Sequence, residues 1–143
     1  AGGRRVSEQI SLTADAERAV REAENLCWRT NVAIIAPEHL LAGCLRVLGA
    51  VGVPGIPGVE AIEQAVVLSQ GSGETALKQD VRFGSAARDA LAYAGRLALD
   101  AGRDEIDTFV LTVGLLYSGE VGPSFFAALG IPKDALMALL GGE

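Results

Sequence analysis

The stretch LTADAERAVREAENLCWRTNVAIIAPEHLLAGCL, residues 12–45, recurs in degenerate form as FGSAARDALAYAGRLALDAGRDEIDTFVLTVGLL, residues 83–116. The two copies align without insertion at a constant offset of 71 residues. Equivalent apolar or small residues fall together throughout the alignment: Ala16 and Ala87, Ala23 and Ala94, Ile35 and Ile106, Leu40 and Leu111, Gly43 and Gly114. Each copy is therefore expected to be one helical unit whose apolar face needs a neighbour, and the two units are expected to share a core.

Apolar residues three and four positions apart predict the helices of the first copy. Thr13 is predicted to cap a long first helix that ends near Asn31. A second helix should follow with Pro37 in its first turn, where the missing amide proton costs nothing. A short helix is expected at about residues 60–68, after a turn region rich in Gly and Pro.

The second copy repeats this plan. Ser85 is predicted to cap its first helix, which ends near Gly102, and Thr108 is predicted to cap its second. A short helical turn is expected at residues 124–129, and Pro132 should open a last helix. The pattern predicts about six to eight helices in all.

The fold class predicted from this pattern is all-α, since no segment alternates with period two for long. Residues 1–143 should form one compact domain of two pseudo-symmetric repeats. We expect repeat one at about residues 8–68, a polar linker at about 69–82, and repeat two at about 83–141.

Composition and charge narrow the function classes. The net charge of −6 disfavours nucleic acid as a partner, because phosphate binding relies on clustered cations. No apolar run approaches the ~20 residues of a membrane helix, so no membrane association is expected. We expect a cytoplasmic chain that is monomeric in isolation.

Conventional catalytic chemistry has little support in the sequence. His39 is the single histidine, which excludes a His-rich metal site. Cys27 and Cys44 could in principle pair with His39 as nucleophile and base, but all three fall at core-facing helix positions, where a buried structural role is expected. Residues 71–76, GSGETA, match a dinucleotide fingerprint only formally, since no strand precedes them. No phosphate-binding loop is present, so no enzyme, cofactor or metal is predicted.

A family resemblance rests on Leu12-Thr13, on residues 35–41 (IAPEHLL), and on the second degenerate copy. Together these resemble the double Clp repeat, the N-terminal domain of Clp-type AAA+ unfoldases, over nearly the whole chain. The first copy keeps the Glu-His pair of the family as Glu38 and His39. The second copy has Phe109 and Val110 in those positions, and Gly84 replaces the Thr at the start of its first helix.

The resemblance implies a non-enzymatic docking module that receives protein substrates or adaptors of a Clp protease. In some members each repeat also holds a phosphoarginine, with the Glu on the guanidinium and the Thr on the phosphate. Carried over by position, Glu38 and Thr13 are the predicted ligand-binding residues of the first repeat. The equivalent residues of the second repeat, Phe109 and Gly84, could bind neither the guanidinium nor the phosphate. One site per chain is expected, with Phe109 contributing apolar surface to an adaptor, peptide or cyclic-peptide ligand. The structural alternative is that Glu38 only interacts with the positive N-terminal end of its helix, and that Thr13 only caps the N-terminus of its own helix.

Three hypotheses of different classes remain at this point. The chain could be the N-domain of a larger unfoldase, which predicts a gene that continues into nucleotide-binding modules. It could be a free-standing Clp-repeat protein that acts as an accessory subunit or as a decoy for ligands of the N-domain, which predicts a short gene. Loss of the ligand-type residues in the second copy favours this second hypothesis. A Cys/His enzyme is the third, and it predicts a hyper-reactive thiol.

Overall fold

The computed structural model describes residues 10–140, which form seven helices and four two-residue strands. In chain order they are β1 (Ser11–Leu12), α1 (Ala14–Thr30), β2 (Ile34–Ile35), α2 (Pro37–Ala50), α3 (Val59–Gln70), β3 (Arg82–Phe83), α4 (Ser85–Asp100), β4 (Glu105–Ile106), α5 (Thr108–Ser118), α6 (Pro123–Leu129) and α7 (Lys133–Leu139). The predicted all-α class is confirmed.

The ends of α1 lie where the sequence predicts them. Thr13 is the N-cap, and its hydroxyl accepts a hydrogen bond from the amide of Ala16 at 3.3 Å. Asn31 closes the helix in the left-handed conformation with φ of 59°, which asparagine tolerates better than most residues. Pro37 opens α2 and Pro132 precedes α7, as predicted.

Two predicted caps in the second repeat are wrong by one residue. Gly84, not Ser85, is the N-cap of α4, and no side chain caps that helix. Asp107, not Thr108, is the N-cap of α5, where its carboxylate accepts the amide of Val110 at 2.8 Å. Asp outcompetes Thr here because it already lies in the extended conformation that leads into the helix.

The four short strands form two parallel pairs that cross between the repeats. β1 pairs with β4, and β2 pairs with β3, so that each pair joins the first strand of one repeat to the second strand of the other. The registers Leu12–Ile106 and Phe83–Ile35 are equivalent under the offset of 71 residues. The sequence analysis missed these strands, because two residues are too few to show a period.

Close helix packing gives each repeat its shape. α1 packs on α2 and α4 packs on α5, and a glycine lies at the contact in both cases. A Cβ added at Gly43 would overlap the carbonyl oxygen of Ala19, and one added at Gly114 would lie 2.7 Å from the Cβ of Ala94. α2 and α5 then pack against each other, as do α3 and α6, and these contacts join the repeats.

The segment between α3 and β3 contains neither helix nor strand, and it docks onto the end of α1. The amide of Gly73 donates to the carbonyl of Thr30 at 2.7 Å, and the side-chain amide of Asn31 donates to the carbonyl of Gly73 at 3.1 Å. This connection therefore supports the first repeat as well as linking it to the second.

Within residues 10–140, no single helix has both the length and the apolar character needed to cross a membrane. By length and composition alone, α5 and α6 taken together would pass, but the chain bends by 119° between them.

Leu40 and Leu111 test the shared core, because they are equivalent positions on α2 and α5 and both are fully buried. Replacing either with Ala should lower the free energy of unfolding by ~2–5 kcal/mol in urea titrations, through lost apolar burial and the cavity left behind. Leu68→Ala, on an α3 side chain that is 66% exposed, is the matched control and should change it by less than about 0.5 kcal/mol. Silent substitutions at both Leu40 and Leu111 would contradict the shared core.

Candidate functional site

The crossed strands bring four helix starts together in two places. At one, which we call the polar crossing, β1 and β4 lead into α1 and α5, and the amide of Thr13 donates to the carbonyl of Ile106 at 3.0 Å. At the other, the apolar crossing, β3 and β2 lead into α4 and α2, and the amide of Gly84 donates to the carbonyl of Ile35 at 3.0 Å. Thr13 thus begins a helix at the polar crossing, whereas Glu38 lies in the helix that begins at the apolar crossing.

Thr13 is engaged by its own helix and borders a polar cavity. Its hydroxyl accepts the amide of Ala16 and donates to the carboxylate of Asp15. The cavity beside it has a volume of about 390 Å³, and its other lining residues are Gly102, Arg103, Asp104, Glu105 and Asp107. Arg103 is already paired with Asp107 at 3.2 Å. Carboxylates therefore outnumber cations around Thr13, which opposes the binding of a phosphate there.

Gly84 occupies the position equivalent to Thr13, and its surroundings explain the missing side chain. A Cβ at Gly84 would lie 2.8 Å from the Cγ2 of Ile34 and 3.3 Å from the carbonyl oxygen of Ile35. The position equivalent to Ile34 is Glu105, which lines the polar cavity. The two crossings therefore share one backbone plan and differ in chemistry.

Glu38 has a structural partner in the other repeat. It lies in the first turn of α2 with 5% of its surface exposed, and its Oε2 accepts the amide of Gly122 at 2.7 Å. Gly122 is the N-cap of α6, so this carboxylate satisfies a backbone donor that would otherwise lack a partner at a helix start. The ligand-binding role of Glu38 stays a prediction, as does that of Thr13.

His39 is fully buried, and its side chain accepts a hydrogen bond at the start of α2. Its Nδ1 accepts the amide of Ala36, the N-cap residue, at 2.9 Å, which places the ring proton on Nε2. Nε2 is buried without a hydrogen-bond partner in the described part of the chain. Burial lowers the pKa of His39 to about 4, so the ring is neutral at physiological pH.

The two cysteines are buried, as the sequence predicts, and carry no sign of activation. Burial raises the pKa of Cys27 to about 12, with the charge of Glu24 adding to the effect. Burial also raises the pKa of Cys44 to about 12, although a hydrogen bond with Thr112 opposes it. Neither thiol is hydrogen-bonded to His39 Nε2 within residues 10–140. The geometry therefore does not assemble a thiol–imidazole pair.

An apolar groove lies on the second repeat, between α5 and α7. It has a volume of about 150 Å³ and is lined by Phe109, Val113, Tyr117, Met137 and Leu140. Phe109 is 46% exposed and Tyr117 is 51% exposed. The sequence analysis singled out Phe109 alone. The spacing of four between Phe109, Val113 and Tyr117 was an available signal, but nothing local indicated that α7 would lie beside them.

No group of three or more His, Cys, Asp or Glu side chains in the described ranges is arranged to hold a metal ion. The polar cavity is acidic, yet its carboxylates do not converge on one point.

Comparison with known proteins supports the fold. No family model matches the sequence, and no curated protein matches it. Among solved structures, the chain is similar to the N-terminal domain of the caseinolytic protease associated chaperone ClpD from Arabidopsis thaliana, with 18% sequence identity and a TM-score of 0.72. The match covers 90% of this chain and 94% of that one. The chain therefore has the fold of a Clp N-terminal domain.

The depressed pKa of His39 predicts a pH-dependent stability. The unfolded chain binds a proton near pH 6.5 that the folded chain accepts only near pH 4, so the fold is stabilised above pH 6.5 and loses stability as the pH falls towards 4. Between pH 7 and pH 5 this group should lower the free energy of unfolding by about 2 kcal/mol. His39→Gln keeps an acceptor for the amide of Ala36 and removes the titration, so urea titrations should show a shallower pH dependence. Equal pH slopes in the two proteins would contradict the assignment.

Proposed function

We propose that the chain is a non-enzymatic docking module of a Clp-type ATP-dependent unfoldase, and that it receives protein substrates or adaptors in the apolar groove between α5 and α7. The fold agrees with this role, since the chain has the fold of the N-terminal domain of a Clp-associated chaperone. The observation that carries the proposal is the exposed apolar lining of that groove. The proposal includes the cytoplasmic location and the monomeric state expected from the sequence.

The groove has the character of a protein-binding surface. Phe109 and Tyr117 are aromatic, both line the groove, and both remain exposed. Binding sites in proteins are typically concave and lined mainly by apolar and aromatic side chains. Aromatic side chains also supply much of the binding energy at such sites, since each buries a large area. A groove of this lining and volume suits one apolar side chain of an unfolded protein or of an adaptor.

The structure bears differently on the two alternative hypotheses from the sequence, the Cys/His enzyme and the free-standing protein. A Cys/His enzyme loses its support, because both thiols have raised pKa values and neither is hydrogen-bonded to His39 Nε2 in residues 10–140. A free-standing accessory or decoy protein would use the same groove. Binding experiments therefore address both docking hypotheses together, and the length of the parent gene separates them.

Phosphoarginine is a second ligand to consider, with Glu38 on the guanidinium and Thr13 on the phosphate. One observation favours it, since Thr13 caps a long helix beside a cavity of about 390 Å³. Three features oppose it. Thr13 and Glu38 belong to helices that begin at different crossings, carboxylates line the cavity beside Thr13, and Glu38 already accepts the amide of Gly122.

The docking proposal predicts loss of binding on changing the groove. With fluorescein-labelled, reduced and alkylated ribonuclease A as an unfolded probe, fluorescence anisotropy should show that Phe109→Ser and Tyr117→Ser each weaken binding about tenfold. Tyr93→Ser is the matched control, because this tyrosine is 39% exposed on α4, outside the groove, and its loss should leave affinity unchanged. Equal affinities for all four proteins, including the wild type, would refute the proposed groove.

The phosphoarginine hypothesis makes a separate prediction for calorimetric titration. The wild type should bind phosphoarginine once per chain, and Thr13→Ala should weaken binding. Glu38→Gln should abolish binding through loss of the charge, while its amide oxygen can still accept the amide of Gly122 and preserve the melting temperature. Phe109→Ser should leave phosphoarginine binding unchanged, because Phe109 offers neither a carboxylate nor a hydroxyl. Two equivalent sites, normal binding by Glu38→Gln, or no binding by the wild type would each rule the hypothesis out.

A further inference from the structure

A second cavity, with a volume of about 400 Å³, lies on the first repeat between α1, the C-terminal half of α2 and the start of α3. Every residue that lines it belongs to the first repeat, whereas the lining of the proposed docking groove belongs to the second. Its accessible lining is partly apolar. Ile56 is half-buried and Val59 is 49% exposed, so both can contact a ligand, whereas Leu45 and Ile62 are buried and present almost no accessible surface.

The rim of this cavity is positively charged on an acidic chain. Arg46 Nη1 pairs with Glu22 Oε1 at 3.1 Å, so those two charges offset each other. Arg18, which is exposed one turn before Glu22, forms no ion pair with any residue in the described range 10–140. The lining therefore carries a net charge of +1, from two arginines and one glutamate, on a chain whose net charge is −6.

This combination suits a ligand that carries a carboxylate next to an apolar group. A guanidinium binds a carboxylate through two parallel hydrogen bonds, and the binding is stronger where apolar surface limits the access of water. The volume is near the lower end of the range for ligand sites, which is roughly 300–1,000 Å³. The cavity therefore has room for one or two residues of a peptide, and not for a longer element.

The end of a protein chain has the required geometry. Its α-carboxylate is bonded to the same Cα that carries the last side chain, so both groups can enter a small cavity together. An internal Asp or Glu would instead have to bring two further stretches of backbone across the rim. We infer that this cavity, which we call the chain-end cavity, binds the C-terminal residue of a protein chain, with its apolar side chain on Ile56 and Val59 and its α-carboxylate on Arg18.

The second repeat lacks the same chemistry, so the inference assigns one such site per chain. The positions equivalent to Arg18 and Arg46 are Asp89 and Tyr117. A carboxylate at Asp89 would repel the end of a chain. The inference goes beyond the proposed function, because it involves different residues and a different ligand group.

The test uses three fluorescein-labelled hexapeptides with the full chain. The first ends in two leucines and a free carboxylate, the second is its C-terminal amide, and the third is an amidated peptide with an internal Leu-Asp pair. Fluorescence anisotropy should show that the first peptide binds at least about tenfold more tightly than either of the others.

Three variants locate the binding. Arg18→Gln keeps the length of the side chain and removes the charge, so it should reduce the advantage of the free carboxylate to less than about twofold. Arg21→Gln is the matched control, because Arg21 is exposed on the same helix and is not part of the cavity lining. Ala50→Phe adds bulk at an exposed position in the lining and should weaken all binding by obstructing the cavity.

Several outcomes would overturn the inference. Equal affinity for the acid and the amide would remove the carboxylate from recognition, and equal affinity for the internal Leu-Asp peptide would make the occupant an acidic segment. Absence of binding by all three peptides would also refute it. Binding of the acid that survives Arg18→Gln and is lost in Phe109→Ser would assign the peptide to the groove on the second repeat, which would refute the chain-end cavity and leave the proposed function intact.

Discussion

Two backbone hydrogen bonds between the repeats, from Thr13 to Ile106 and from Gly84 to Ile35, lie where the first helices of the repeats begin. Each ends a parallel strand pair that joins one repeat to the other, and each lies where two helices begin. Since neither repeat pairs its own two strands, neither can complete its strand pairs or bury its apolar helix faces alone. The positions of the helix starts and the central packing of α2 on α5 agree with this exchange.

The two repeats share one backbone plan but carry different side chains at equivalent positions. The backbone plan is the same at both crossings, but Thr13 and Glu105 make one of them polar, and Gly84 and Ile34 make the other apolar. In the first repeat, the glutamate that resembles a ligand-binding residue is turned inward, where it holds the start of α6. Its counterpart Phe109 points outward and lines an apolar groove. The second repeat therefore exposes apolar surface at the position where the first repeat has a buried carboxylate.

The sequence was sufficient where the information is local. Apolar spacing gave the helices, and Asn31 and Pro37 marked their ends, because cap chemistry acts within a few residues. The caps at Gly84 and Asp107 were missed by one residue, since Ser85 and Thr108 are also favourable cap residues and the sequence does not show which of two neighbours has the extended backbone. The two-residue strands carry no periodic signal. The contact between Glu38 and Gly122 spans 84 residues, and the placement of α7 beside Phe109 also depends on tertiary packing, so no local pattern could indicate either.

The exchange of strands between repeats can be measured directly through scalar couplings across hydrogen bonds in a labelled sample. The structure predicts a coupling from the amide nitrogen of Thr13 to the carbonyl carbon of Ile106, and another from Gly84 to Ile35, because these hydrogen bonds are both 3.0 Å long. Couplings from Thr13 to Ile35 and from Gly84 to Ile106 would show that each repeat pairs its own strands. That result would contradict the exchange of strands between the repeats.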